Sequence, residues 1–266
     1  MCSVIIARNM HPHWPVMLAA NRDEMLDRPW RPPARHWPDR PDVIGGFDQL
    51  GGGTWLGIND SGVVATILNR KHTLGPADGK RSRGELVLEA LDHADASAAV
   101  EALADLNGQA YRPFNLLIAD NRDAYVLTGL DQPIVRIAPL PDGMSMITHA
   151  DRNDRESSRI AYYLPKFEAA DLPDPDQQNW QGWANLLADR RSGAATDDPG
   201  SAMNIETNIG FGTSSSVLLA LPAMEILDQP PIFRFSPGRP DQVEFHDVAD
   251  LRSAKDAAMQ QIIASE

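Results

Sequence analysis

The chain has 266 residues, of which 42% are hydrophobic and 23% charged, ordinary proportions for a globular protein. At this length about three quarters of the unfolded surface can be buried, so neither disulfides nor a structural metal is required. Lys plus Arg is 24 against 37 Asp plus Glu, and the net charge of -13 repels phosphate backbones and anionic membranes, so nucleic acid is not an expected partner.

The single cysteine, Cys2, excludes an internal disulfide and every multi-thiolate zinc or iron–sulfur site. No apolar run approaches the roughly 18 residues of a membrane-spanning helix, so no membrane insertion is expected. The N-terminal apolar run lacks a basic leader and stops at Arg8 and Asn9, too early for a signal peptide. The expected location is cytoplasmic.

Ser3 to Ala7 and Val16 to Ala20 read as short apolar strands, and the two prolines of His11-Pro12-His13-Trp14-Pro15 make the segment between them a turn. The resulting hairpin brings Cys2 near the far end of the second strand, at Asn21-Arg22-Asp23-Glu24. Arg28 to Pro41 holds five prolines, four arginines and two tryptophans and reads as a semi-rigid irregular loop. Val43 to Phe47, Thr54 to Ile58 and Val63 to Asn69 read as strands, with Asn59-Asp60-Ser61-Gly62 as the turn between the last two. A helix is predicted over Arg83 to His93, with Ser82 and Glu85 forming a capping box, and a second over Ser97 to Leu106.

Phe114 to Ala119 and Ala124 to Leu130 form another hairpin pattern, and Met144 to Thr148 is a further strand candidate. Arg155 to Ala169 and Trp180 to Arg190 look helical, whereas the small and polar residues of Ser192 to Ser201 suggest a mobile segment. The tail returns to strands at Thr213 to Leu221, Ile232 to Phe235 and Val243 to His246, and Leu251 to Ala264 reads as a closing helix. Strands at both ends with helices between them indicate an α+β arrangement of antiparallel sheets covered by helices. No tandem repeat or domain boundary interrupts residues 1–266, which read as a single domain.

Several chemical signatures are absent. Gly75-Pro76-Ala77-Asp78-Gly79-Lys80 is one residue too short for a phosphate loop, and Arg81 stands where a magnesium-binding hydroxyl belongs. Gly51-Gly52-Gly53 lacks the third spaced glycine of a dinucleotide site, and Gly212-Thr213-Ser214-Ser215-Ser216 is not an esterase elbow. No resident metal is expected.

Cys2 is the residue with nucleophilic promise. Removal of Met1 would place a free α-amine on the residue that carries the thiol, and an amine titrating near 8 can serve as base for its own side chain. Arg22 can favour the thiolate, and Asp23 can orient the amine. The alternative is that Cys2 is a small buried residue on an edge strand.

Asn21-Arg22-Asp23-Glu24 resembles the signature of the NRDE family, also called the transport and Golgi organisation 2 family. The resemblance extends in order through Met1-Cys2, Arg28-Pro29, Gly52-Gly53-Thr54-Trp55-Leu56-Gly57-Ile58-Asn59 and Asn69. It continues through Ser82-Arg83-Gly84-Glu85-Leu86, Phe114-Asn115 and Gly212-Thr213-Ser214-Ser215-Ser216. It implies an N-terminal-nucleophile hydrolase fold, a four-layer αββα sandwich of two antiparallel sheets, most like the penicillin V acylase and bile-salt hydrolase branch. Under it Cys2 is the nucleophile, and Arg22 and Asp23 stand beside it. Asn59-Asp60-Ser61-Gly62 resembles that branch's Asn-Glu-Ser-Gly turn and puts Asn69 at an oxyanion position. His149 stands where the acylases carry an asparagine, and Phe47 where an arginine is commoner. Asn21, Glu24 and Trp55 are the candidate substrate-binding residues.

Two functions follow from the resemblance. One is hydrolysis of an amide or related acyl bond of a small molecule, with no cofactor. The other is non-enzymatic handling of haem or of lipid and acyl-CoA, for which Met10, His11 and His13 are the candidate axial donors.

Overall fold

The computed structural model describes residues 2–192, 199–253 and 256. The first strands are β1 (Ser3–Arg8) and β2 (Val16–Met25), paired antiparallel with Ser3 opposite Asn21. Next come β3 (Trp30–Ala34), β4 (Val43–Asp48), β5 (Leu56–Asn59) and β6 (Val64–Asn69), a meander that leads into helices α1 (Gly84–Leu91) and α2 (Ala96–Ala102). Strands β7 (Phe114–Ala119), β8 (Ala124–Gly129), β9 (Arg136–Pro139) and β10 (Gly143–Ile147) follow, then helices α3 (Ser158–Ala169) and α4 (Gln181–Leu187). The described chain closes on β11 (Phe211–Leu221), β12 (Ile232–Ser236) and β13 (His246–Asp247).

Among the described residues these strands form two antiparallel sheets. One has six strands in the order β10-β1-β2-β11-β12-β13, and the other seven in the order β3-β4-β5-β6-β7-β8-β9. Three apolar clusters define the layers. Val4, Ile6, Leu18, Leu56, Leu117 and Leu219 fill the space between the sheets. Leu86, Leu91 and Val100 of α1 and α2 pack on the outer face of the seven-stranded sheet, and Ile160, Phe167 and Trp183 of α3 and α4 cover the six-stranded one. The result is the expected αββα sandwich. No described helix is long and apolar enough to cross a membrane.

Sheets covered on both faces explain the continuous apolar runs of the central strands. In β2 the even residues Val16, Leu18 and Ala20 face the other sheet, while Met17 and Ala19 face α3 and α4. The two clusters meet no solvent along this strand, whose first eight residues are all buried.

Several expected boundaries shift. Within the supposed loop Arg28 to Pro41, Trp30–Ala34 forms edge strand β3; its prolines fall at a register shift between Arg31 and Ala34, where no ladder donor is needed. Ser82 makes no capping box: Arg83 is the N-cap of α1 and no side chain caps the helix. Glu85 instead accepts from Tyr111 Oη at 2.6 Å and pairs with Arg81. Helix α2 is shorter than expected and starts from Asp95, which accepts from the Ala98 amide. Likewise α3 starts later than predicted but ends at Ala169 as expected, α4 covers the inner part of its predicted span, and the predicted strand Val243 to His246 reduces to a two-residue pairing at His246–Asp247. Of the Ser192 to Ser201 and Leu251 to Ala264 segments, residues 193–198, 254–255 and 257–264 lie outside the described residues.

Two glycines set the approach of α1 to the seven-stranded sheet. A Cβ on Gly53 would lie 2.4 Å from the carbonyl carbon of Gly84, so the two backbones touch directly. The Thr54 amide donates to the Gly84 carbonyl at 3.2 Å across the same contact. A Gly53→Ala substitution is expected to destabilise the chain by about 1–3 kcal/mol through overpacking. Gly182→Ala, where the nearest atom is 3.7 Å away in exposed α4, should instead stabilise by about 0.4–1 kcal/mol. Urea unfolding of the two variants measures the contrast.

Candidate functional site

Strand alternation divides the signature between two faces of β2. Arg22 and Glu24 share the inter-sheet side with Cys2, and all three line a cavity of about 340 Å³ whose wall also includes Trp55, Asn69 and Arg83. Asn21 and Asp23 point the other way, toward the helices. Asn21 Nδ2 donates to the carbonyls of Leu187 and Met203, both at 2.9 Å, and its Oδ1 accepts from Ser216 Oγ at 2.7 Å. Its side-chain bonding capacity is thus met within the fold, and it does not line this cavity. Its side chain braces the sheet against α4, and Asn21 also borders a second small pocket with Cys2, Arg22 and Trp55.

Strand β11 holds this signature residue by residue. Thr213 Oγ1 donates to Asp23 Oδ1 at 2.7 Å, and Arg22 Nη1 donates to Ser214 Oγ at 2.9 Å. A bulge between Thr213 and Ser215 inserts Ser214 as an extra residue opposite the signature. This bulge lets Thr213 serve one face of β2 and Ser214 the other. The Gly212-Thr213-Ser214-Ser215-Ser216 string is therefore the polar counterpart of the signature, a role its letters alone do not reveal.

Asp23 and Arg22 are 1% and 6% exposed, so their charges sit in surroundings that penalise them. Arg159 of α3 answers the first, its Nη1 lying 3.0 Å from Asp23 Oδ2 and 2.7 Å from Ser3 Oγ. Sequence reasoning missed Arg159; the available signal was a cation beside Ile160 on the apolar face of a helix. Arg22 stacks over the Trp55 ring, 4.3 Å from its centroid. Burial pulls its guanidinium below the usual arginine range, and the Cys2 charge pulls it back up. Gly46 makes room for this tryptophan, since a Cβ there would stand 2.3 Å from the indole.

Cys2 Sγ donates to the Asp23 carbonyl at 3.6 Å. Burial, then the Asp23 carboxylate, push the thiol above the usual cysteine range, outweighing the opposing pull of Arg22. The expectation that Arg22 favours a thiolate is thus met in sign but not in net effect. Chemistry at Cys2 needs a base within reach.

Asn69 ends β6 and lines the cavity with Cys2. The preceding turn is built on Asn59, which donates to the Leu91 and His93 carbonyls and accepts from the Val63 amide. His149 is not among the residues lining this cavity. Asn115 Nδ2 grips the carbonyls of its neighbours Thr148 and Ala150 at 3.0 and 2.8 Å. Burial first, then Arg159, depress His149 to about 4, so it stays neutral through the physiological range. Phe47 also stays off the cavity wall and packs on His36 and Trp37.

Met10, His11 and His13 occupy the β1–β2 turn, at the opposite end of the hairpin from Cys2, and none lines its cavity. His13 Nδ1 faces Asp176 Oδ2 at 3.4 Å, and His11 Nδ1 accepts from the His13 amide. These candidate donors therefore lie apart from the Cys2 cavity.

Replacing Arg159 by Met strips the buried Asp23 carboxylate of its guanidinium and should cost about 3–5 kcal/mol in urea unfolding. Adding Asp23→Asn should recover most of that loss. For His149, the unfolded chain binds a proton below about 6.5 while the folded one resists until about 4. Stability should therefore fall as pH drops across that window, and His149→Gln should flatten the slope.

Comparison with known proteins agrees with this geometry. Residues 1–171 match the family model described as Transport and Golgi organisation 2. The bovine (Bos taurus) Transport and Golgi organization protein 2 homolog is 38% identical over 110 residues, 40% of this chain and 38% of that protein. The human (Homo sapiens) homolog is 36% identical over 109 residues, again 40% and 38%. The matched segment thus spans little more than a third of these relatives. Among solved structures, a Caenorhabditis elegans N-acylethanolamine-hydrolyzing acid amidase ortholog superposes with a TM-score of 0.56 at 14% identity, covering 82% of this chain and 92% of that one. A variant of conjugated bile acid hydrolase from Clostridium perfringens gives 0.52 at 12% identity, covering 92% of each chain. The structural likeness establishes the N-terminal-nucleophile hydrolase fold, and the sequence match establishes that this chain belongs to the Transport and Golgi organisation 2 family.

Proposed function

We propose that this chain is a cysteine hydrolase of the N-terminal-nucleophile type, cleaving an amide or related acyl bond of a small molecule. The observation that carries the reading is that Cys2, Arg22 and Asn69 line one cavity at the end of the β1–β2 hairpin. In this reading removal of Met1 supplies a base on the same residue that carries the thiol. An α-amine titrating near 8 accepts the Sγ proton at neutral pH.

In this reading the thiolate attacks the acyl carbonyl carbon, and negative charge passes to the carbonyl oxygen. The Asn69 amide meets that oxyanion. Arg22, with no carboxylate within 4.0 Å among the described residues, lends its charge to the sulfur side. Collapse of the tetrahedral intermediate expels the amine, which takes the proton held by the α-amine. Water then hydrolyses the thioester, so one amide and one water give one acid and one amine. Asp23 acts as a positioning residue through its carbonyl contact with Cys2, and Glu24 and Trp55 shape the wall.

Against a panel of N-acyl amides, Cys2→Ala should abolish turnover. Asn69→Ala should lower kcat by about 10²–10³-fold, the usual effect of one lost oxyanion donor. Turnover that survives Cys2→Ala would overturn the mechanism.

A further inference from the structure

The Cys2 cavity is electropositive inside an acidic protein. Arg22, Arg28, Lys80, Arg81, Arg83 and Arg112 line it, against the carboxylates of Glu24 and Asp48. Three of these cations are neutralised by the fold. Arg28 binds Asp48 at 2.7 Å, Lys80 binds Asp131 at 2.6 Å, and Arg81 binds Glu85 at 2.6 Å. Arg22 belongs to the Cys2 centre. That leaves Arg83 and Arg112, neither of which has a carboxylate within 4.0 Å among the described residues.

Their hydrogen bonds go to uncharged oxygens. Arg83 uses Nη1 alone, donating to Thr73 Oγ1 and to the Pro113 carbonyl, each at 3.1 Å. Arg112 spans the carbonyls of His72, Leu74, Gly75 and Pro76, which fixes the loop facing Arg83. Two like charges are thus built into one wall, on adjoining segments, with their own counter-charge missing. Arg83 is also the N-cap of α1, which has no side-chain cap, and Ser82, Arg83 and Gly84 all face the cavity.

We propose that Arg83 and Arg112 form an oxyanion-binding subsite, and that the substrate cleaved at Cys2 carries a phosphate or carboxylate at the end remote from its scissile bond. This rests on the reading of the Cys2 cavity as the substrate site. Burial first, and then Arg112, pull the Arg83 guanidinium down to about 10, a strain that a bound anion relieves. Arg83 suits such a ligand because its Nε and Nη2 can meet two oxygens at once, while Arg112 contributes its charge from the loop it holds.

Inorganic phosphate, titrated calorimetrically into the Cys2→Ala chain at constant ionic strength, tests the subsite without any chemistry. Saturable binding is expected, weakened about tenfold or more by Arg83→Gln or by Arg112→Gln. Lys80→Ala should change it less than about twofold, since Asp131 already holds that charge. Should Arg83→Gln fail to fold, Arg83→Lys keeps the charge, loses the fork and must still weaken binding several-fold. Absence of binding above a chloride control, or an equal loss in Lys80→Ala, overturns the proposal. In the Cys2-bearing chain, Arg83→Gln should raise KM for acyl amides ending in a carboxylate and spare those with a neutral end. Phosphate binding with no Cys2-dependent turnover would defeat the hydrolase reading and leave the anion subsite standing; the converse would defeat the subsite alone.

Discussion

A carboxylate buried at the middle of a sheet costs several kcal/mol unless its charge is met. Asp23 is met from two layers at once, by Arg159 of α3 and by Thr213 of the neighbouring strand β11. Around it the β2–β11 pairing becomes a polar ladder, with Asn21 joined to Ser216 and Arg22 to Ser214. This ladder fixes the register of the two longest strands of the six-stranded sheet and ties that sheet to the helices outside it. The position of Cys2 follows, because β1 is aligned on β2 through Ser3 opposite Asn21.

The alternation of side chains along β2 then distributes the chemistry. Residues facing the helices, Asn21 and Asp23, hold the architecture. Those facing the other sheet, Arg22 and Glu24, reach the cavity. Arg22 depends on both faces of the molecule, since Ser214 of its own sheet and Trp55 of the opposite one fix its guanidinium. The opposite wall depends on a backbone contact between Gly53 and Gly84, which seats α1 so that Arg83 meets the loop held by Arg112. A buried thiol and an electropositive wall thus share one cavity in a chain of net charge -13.

Much of this was legible in the residues. The hairpin bringing Cys2 to the signature and the central strands follow from apolar patterning and turn chemistry, and the four-layer order from the family resemblance. Edge strand β9 escaped notice because all four of its residues are exposed and carry no alternation. The capping box at Ser82 was a local pattern overruled by tertiary contacts, since Glu85 is taken by Tyr111 and Arg81. Arg159 and Thr213 lie far along the chain from Asp23, and nothing in their local sequence links them to it. Arg83 stood within a family motif, but nothing in the sequence paired it with Arg112 until the fold set the two on one wall. His149, suggested by its resemblance to an acylase position, is not among the residues lining the cavity.

The account turns on Cys2 being the first residue of the working protein and the atom that takes the acyl group. Brief exposure of the purified chain to an acyl amide, acid quenching and peptide mass mapping reads both facts together. The account predicts an N-terminal peptide beginning at Cys2 and bearing the acyl mass on that residue. Turnover by a chain that still carries Met1, or an acyl group trapped on any other side chain, would contradict it.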